Sequence, residues 1–243
     1  MNPRIDELNE YLNDAEGFDC SEWLNIQKWE APIPAQLEGE VRGSFPGFIP
    51  KTDQERLQNL VSEYAEWQNA DEEWEVTEKL DGSSMTVYVQ GTESGVCSRN
   101  LNLIETNDNS LWKTAKRNQL IEKVQNTGRN LALQGELIGE GIQGNPYKIV
   151  GQEFYLFDIY DIDQGEYLRP NERQFLAQEL DILHAPFLGF HRLNRNVEDQ
   201  LNFAEGKSLL RSETEREGVV FKNTQEPVSF KVISNKFLLK TKG

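Results

Sequence analysis

Apolar residues fall at two different spacings along this chain, and the changes of spacing mark the predicted elements. Leu57, Leu60, Val61, Tyr64 and Trp67 recur every three or four residues. Thr52 and Glu55 form a T-x-x-E capping pattern ahead of them, so a helix is predicted over 53–69. Trp74 to Val89 reads as one long strand or a hairpin, and GVCSRN follows a glycine-containing turn. Helical spacing returns over 110–126, over 171–181 behind Pro170, and over 197–206. Short apolar runs predict strands over 131–138 and 153–160, and EGVVFK and VSFKVIS read as two more on either side of the turn-like NTQEP. Residues 1–50 are expected to hold a short helix, the segment CSEWLNIQKWE, and then APIPAQLEGEVRGSFPGFIP, whose Pro and Gly residues mark an irregular connection. No internal repeat, coiled coil or low-complexity tract interrupts this order of elements, which predicts a mixed α+β architecture rather than a regular βαβ series.

Composition narrows the class. With 243 residues, 37% of them hydrophobic, the chain can bury a core as one large domain or two small ones. Cys20 and Cys97 are the only cysteines; they supply neither a disulfide framework nor a metal cluster, a usage that fits a reducing compartment. The N-terminus MNPRIDELNEYLNDAEG is acidic and lacks an apolar signal core. No stretch approaches the roughly 20 apolar residues of a membrane helix. A soluble intracellular, cytoplasmic protein without a membrane partner is the expectation. Twenty-five basic against 41 acidic side chains give a formal charge of -16. That balance argues against non-specific nucleic-acid binding over the whole surface, because such affinity comes largely from neutralising phosphates. It leaves room for a local basic groove.

The segment TEKLDGSSMTVYV spaces Lys79, Asp81 and Ser83 two apart. In an extended chain these three project to one side and Glu78 and Leu80 to the other. Taken alone, K-x-D-G is also what a solvated Lys–Asp pair at a turn would give, with Gly82 supplying the turn conformation. Polar groups recur beside other strands, however. LALQGELIGEGIQGNPY sets Glu136 behind Gly135 and a Gly-rich loop after it, EFYLFDIYDI places Asp158 among aromatics, and REGVVFK brings Glu217, Gly218 and Lys222 around Val219 and Val220. Charged side chains are rarely buried unpaired, so several at the ends of apolar strands predict a cleft. His184 and His191 read as surface or core-edge residues, since no Cys or third His stands at metal spacing. Trp23, Trp29 and Trp67 read as packing residues, with no Lys/Arg stripe around them.

This ordered set resembles the covalent nucleotidyltransferases, the group of ATP-dependent RNA and DNA ligases and GTP-dependent mRNA capping enzymes, whose first motif is K-x-D-G. Within the group it is most similar to RNA ligases of the Deinococcus and Naegleria type, through KWEAPIPA, FPGFIPKTDQERLQNL and FKVISNKFLLK as well as the general motifs, which span roughly residues 28–240. The resemblance implies a nucleotidyltransferase fold with antiparallel sheets flanked by helices. It implies Lys79 as the nucleophile that takes AMP, Glu78 and Arg99 as nucleotide contacts, and Phe157 as the aromatic stacked on adenine. Asp81, Glu136 and Glu217 correspond to the carboxylates that hold a hydrated Mg²⁺ or Mn²⁺, and Lys222 and Lys231 to basic positions facing the nucleotide phosphates. Ile233 stands where a common K-x-K pattern has its second lysine, leaving Lys231 alone or assisted by Lys236 or Lys240.

The implied activity is ATP-dependent RNA ligation. An ammonium has no free lone pair at neutral pH, and a carboxylate beside it favours that charged form. A divalent cation held by Asp81, Glu136 and Glu217 reverses the field and draws charge from the α-phosphate. Lys79 attacks the α-phosphorus of ATP, AMP passes to a 5'-phosphate end, and a 3'-hydroxyl displaces it; RNA or a nicked duplex is the implied partner, and a monomer the expected working unit. A GTP-dependent capping-type guanylyltransferase shares the nucleophile, and a catalytically silent nucleic-acid-binding module would share the fold. The ligase-type segments disfavour the first, and the intact Lys79, Asp81, Glu136 and Glu217 set the second. The nearest members of the group carry a small OB-type barrel ahead of the nucleotidyltransferase domain. The position of KWEAPIPA leads to the expectation that the barrel is absent, with residues 1–35 a remnant or linker and 36–243 the nucleotidyltransferase domain.

Overall fold

The strand pattern resolves into two sheets in a computed structural model that describes residues 39–70 and 72–241. In chain order the elements are β1 (Val41–Ser44), β2 (Glu55–Arg56), α1 (Val61–Asn69), β3 (Trp74–Lys79), β4 (Ser83–Gln90), β5 (Glu93–Cys97) and β6 (Leu101–Leu103). There follow α2 (Ser110–Arg117), α3 (Leu120–Asn126), β7 (Leu131–Gly139), β8 (Gln152–Asp161), β9 (Glu166–Tyr167) and α4 (Pro170–Glu179). The last are β10 (Phe187–His191), α5 (Val197–Ala204), β11 (Gly218–Asn223), β12 (Ser229–Ile233) and α6 (Asn235–Thr241). The first sheet runs β1-β6-β5-β4-β7-β8-β9 and the second β10-β3-β11-β12-β2. All pairings are antiparallel except β2 with β12. This is the α+β fold of antiparallel sheets flanked by helices that the sequence predicts. The short helix, CSEWLNIQKWE and the 1–35 segment, with Cys20, Trp23 and Trp29, lie outside the described residues.

Each sheet buries one face under helices. Met85, Val87, Leu131, Leu133 and Leu156 of the first sheet pack with Trp112 and Ala115 of α2, Leu120 and Val124 of α3, and Leu176 of α4. Trp74, Val76, Val219, Phe221, Phe230 and Val232 of the second sheet pack with Tyr64 of α1 and Ala204 of α5. Trp67 stacks on Phe230 at 5.7 Å, a packing role as expected. Each fully buried side chain of this size stabilises by about 1.5–3 kcal/mol. The period of two then turns Glu75, Thr77 and Lys79 of β3 toward the opposite face.

Several expectations need correction. The helix predicted over 53–69 starts only at Val61; Glu55 and Arg56 instead form a strand beside Phe230 and Lys231, and Leu57–Asn59 a 3₁₀ turn. Thr52 does not cap it, because its hydroxyl pairs with that of Ser84 at 3.0 Å. The helix over 110–126 breaks at Gln119, whose φ of 53° is left-handed. Asn109 caps α2 through Leu111 and Trp112 N–H groups. The irregular 31–50 stretch contains β1.

Most consequential, Trp74–Val89 is neither one strand nor a hairpin. β3 and β4 belong to different sheets, and Leu80–Gly82 is the crossing between them. Gly82 stands there because a Cβ would lie 2.4 Å from the Leu137 carbonyl oxygen and 2.6 Å from Ile138, rather than to supply a turn conformation.

Candidate active site

The crossing opens onto a cleft of about 440 Å³ between the inner faces of the two sheets. Lys79, Asp81, Glu136, Glu217, Arg99, Phe157 and Lys231 all line it. Their placement follows from register. Lys79 ends β3 opposite Gly218 of β11, so Glu217 lies at the mouth of that strand; both Glu217 carboxylate oxygens lie 2.8 Å from Lys79 Nζ. Glu136 on β7 pairs with Ser84 of β4, two residues past the crossing. Lys231 on β12 pairs with Val220, whose side chain also lines the cleft.

Phe157 reaches the cleft through an irregularity. On β8, Asp158 pairs with Gln134 and Leu156 with Gly135, which leaves Phe157 as the extra residue of a β-bulge. Bulges re-aim side chains. Here the bulge lets the successive residues Phe157 and Asp158 serve the same side of the sheet.

The charges are unevenly satisfied. Burial raises the Glu136 carboxyl to about 7; Lys79 opposes the rise, while Glu217 and Asp81 add to it. Burial and the Glu217 charge also raise Asp81, against the pull of Lys79. Lys231 is lowered by burial and then by the neighbouring cations Lys79, Arg56 and Arg99. Arg99, over half exposed, pairs with Asp53 at 2.6 Å.

Among the described residues, no three Asp, Glu, His or Cys side chains close around one point tightly enough to hold a metal unaided. The set nevertheless fits Mg²⁺ or Mn²⁺. Such ions take oxygen donors and are commonly bound by one or two carboxylates with water and substrate phosphates completing the shell. The mutual repulsion that raises Asp81 and Glu136 is relieved by a cation.

Three expectations fare differently. Lys222 does not face the cleft beside Lys79. It is buried, 2.6 Å from Asp158, donates to the Phe157 carbonyl, and lies 5.7 Å from the Phe157 ring centre. Two residues beyond Val220 on the same face of β11, it has passed behind Phe157. Glu78 lines the cleft, but its buried carboxylate is engaged, accepting the Leu209 N–H at 2.8 Å. Lys236 pairs with Glu205 at 2.7 Å and Ile233 is buried, so neither supplements Lys231; the Lys240 side chain lies outside the described residues.

Behind Phe157 the buried Arg173 pairs with Glu75 and, at 3.5 Å, with Asp158. Its Nε donates to His184 Nε2 at 3.2 Å, so His184 donates from Nδ1 to the Ala185 carbonyl at 2.7 Å. Burial, and then Arg173, lower His184 to about 4. It is a core-edge histidine, as expected.

Sequence reasoning did not single out Thr52, Asp53, Gln54, Gln143 and Ala185 as cleft residues. The first three fall in FPGFIPKTDQERLQNL and Gln143 in the Gly-rich loop, so the segments carried the signal while the individual residues did not.

Comparison with known proteins agrees with this geometry. The RNA ligase family model matches residues 72–239. Solved structures of Naegleria gruberi RNA ligase are similar. One with PPi is 50% identical, with 98% of this chain and 71% of that chain covered and a TM-score of 0.80. A lysine-to-alanine mutant with ATP and Mn is 49% identical, with 98% and 72% covered and a TM-score of 0.81. A lysine-to-methionine mutant with AMP and Mn is 50% identical, with 98% and 71% covered and the same TM-score. No curated protein matches the chain. A family match over most of the chain, and near 50% identity across nearly all of it, agree with the cleft: the chain belongs to the RNA ligase family.

Proposed function

We propose that the protein is an ATP-dependent RNA ligase whose residues 36–243 form the adenylyltransferase domain, with Lys79 as nucleophile. The carrying observation is the Lys79 ammonium, 2.8 Å from Glu217, in a cleft that gathers Asp81, Glu136, Arg99 and Lys231 beside the half-buried Phe157 ring. Lys79 gives up a proton, for which Glu217 is the hydrogen-bonded acceptor, and its nitrogen bonds to the α-phosphorus of ATP as the bond to the β-phosphate oxygen breaks. Lys231 and Arg99 stabilise charge on the phosphoryl oxygens as pyrophosphate leaves. Phe157 and Val220 offer apolar surfaces to the adenine ring. Asp81, Glu136 and Glu217 would hold Mg²⁺ or Mn²⁺, which supplies the positive field that favours a neutral amine and a polarised phosphate.

An oxygen of a 5'-phosphate end next takes the adenylyl group, breaking the N–P bond and freeing Lys79. Attack by a 3'-hydroxyl end then expels AMP and seals the strand. Every residue given a role here comes from one chain, and a monomer is the working unit of this reading. No helix among the described residues is long and apolar enough to cross a membrane.

Incubation with α-labelled ATP or GTP and Mn²⁺ tests the reading. An acid-labile adenylyl adduct that maps to Lys79 and is lost in Lys79→Arg is expected, since a guanidinium stays protonated. A guanylyl adduct, an adduct on another lysine, or none overturns it.

A further inference from the structure

The Gly-rich loop between β7 and β8 takes no part in the chemistry above, yet it is built at conformational cost. Gln143, Asn145 and Lys148 have φ of 46°, 49° and 56°, and Gly139, Gly141, Gly144 and Gly151 are also left-handed. Residues other than glycine keep such backbone only where their surroundings over-determine it, and such strain gathers at functional sites. The loop is pinned at its base by Glu140 N–H on the Gly151 carbonyl at 2.7 Å. Internally, the Asn145 side chain brackets Ile149, donating to its carbonyl at 2.8 Å and accepting its N–H at 3.1 Å.

What this loop holds is the nucleophile segment. Leu80–Gly82 lies between strands and has no ladder partner of its own. The Asp81 N–H donates instead to Tyr147 Oη at 2.7 Å, and Gln143 Nε2 donates to the Gly82 carbonyl at 3.4 Å. Tyr147 is 5% exposed and packs with Leu80 and Ile138. The adjoining Pro146 carbonyl accepts the Thr214 hydroxyl at 2.8 Å, three residues before Glu217, and the loop itself begins just past Glu136 on β7. One loop thus touches or carries the chain next to all three carboxylates.

We propose that Tyr147 is a positioning residue, through which the β7–β8 loop fixes the main chain at Asp81 and so the separation of the Lys79 and Asp81 side chains. Its kinetic consequence rests on the adenylyltransferase reading; its structural consequence does not.

Tyr147→Phe keeps the ring packed and removes only the hydroxyl, and with it the acceptor for the Asp81 N–H. Residue-resolved hydrogen exchange is expected to show the Asp81 amide exchanging at least roughly tenfold faster in the variant, with the melting transition close to that of the parent. Single-turnover lysine adenylylation is expected to slow roughly tenfold while KM for ATP stays within about twofold, because no nucleotide contact is lost. Thr214→Val, which cuts the loop's other tether without altering Tyr147, is expected to slow the same step by a smaller factor. Unchanged Asp81 exchange overturns the proposal, as does an unchanged rate or a rate loss matched by an equal loss of ATP affinity. If the parent forms no adduct at all, the functional reading fails, and the Asp81 exchange still decides whether Tyr147 holds the segment.

Discussion

Two clusters of acids and bases lie on either side of Phe157, built from the same residue types and opposite in character. In the rear cluster Arg173 and Lys222 face Glu75 and Asp158, charge for charge, with neutral His184 closing the set. In the front cluster Asp81, Glu136 and Glu217 face Lys79, which is paired to Glu217 alone. The rear cluster is saturated, and its acid is held in the charged form: burial pushes the Glu75 carboxyl up, but Arg173 and Lys222 outweigh it and the carboxyl stays below the usual range. In the front cluster Asp81 and Glu136 have no ion-pair partner within hydrogen-bond reach among the described residues, although Lys231 and Arg99 line the same cleft. A buried ion network and an active site thus differ less in composition than in whether their charges already cancel.

Lysine substitutions should separate the two clusters most sharply. Lys222→Met leaves Asp158 with a single, longer ion pair, and breaking a buried pair costs about 3–5 kcal/mol, so Tm should fall on the order of 10 °C. Lys231→Met in the open cleft should leave Tm nearly unchanged while slowing adenylylation on the order of 100-fold. Scanning calorimetry beside label incorporation reads both. Equal melting temperatures for the two variants would erase the distinction.

A smaller effect comes from Glu136. Its folded-state value of about 7 lies above the 4.5 of an unperturbed glutamate, so the protonated form is the one the fold favours. That contribution is fully present below about pH 4.5 and is lost as pH rises toward 7. In metal-free buffer Glu136→Gln should therefore stabilise the protein at pH 8 by on the order of 2 kcal/mol and have little effect at pH 4, while depressing adenylylation. A stability gain independent of pH would break the argument. In the rear cluster Glu75, lowered overall, should show the opposite sign, with its contribution fading as pH falls.

Phe157 sits between the clusters and sharpens the boundary. Phe157→Leu keeps apolar volume but loses the π-face, worth about 1 kcal/mol, so KM for ATP should rise roughly fivefold with Tm little changed. Single-turnover adenylylation at varied ATP measures it, and a drop in Tm without a change in the half-saturating ATP concentration would assign Phe157 to the rear cluster. At the small end, Lys236→Ala removes an exposed pair with Glu205 and should alter neither adenylylation nor melting measurably.

Much of this was legible in the chain, for reasons that differ by element. The strands β7, β8, β11 and β12 carry apolar runs long enough to reveal themselves, and Pro170 marks the start of α4. β2 is two residues long and exposed, and β10 carries a register shift with Phe187 and Phe190 outward, so neither shows the half-buried alternation that betrays a strand. In the site, the residue types of Lys79, Asp81, Glu136 and Glu217 pointed to their cleft. Lys222 misled because the two-residue alternation along β11 puts it on the same face as Val220 and cannot tell a cleft-facing lysine from one that lies behind a bulged aromatic. A bulge leaves no trace in composition, and a cleft wall assembled from Thr52–Gln54 and Ala185 depends on contacts remote in sequence.

The three-residue crossing Leu80–Gly82 also has a mechanical meaning. Lys79, Glu217 and Lys231 ride on or beside the strands of one sheet, whereas Glu136, Phe157 and Arg99 belong to the other. The cleft therefore has two walls, one from each sheet, with Lys79 at the rim of one and Phe157 on the other. Under the proposed function, a change in the spacing of the two walls would alter the reach from Lys79 to the α-phosphorus while leaving its pairing with Glu217, on the neighbouring strand of the same sheet, intact. Substitutions far from ATP that stiffen or loosen the seam should then be felt as changes in the rate of bond formation rather than in the affinity for the nucleotide.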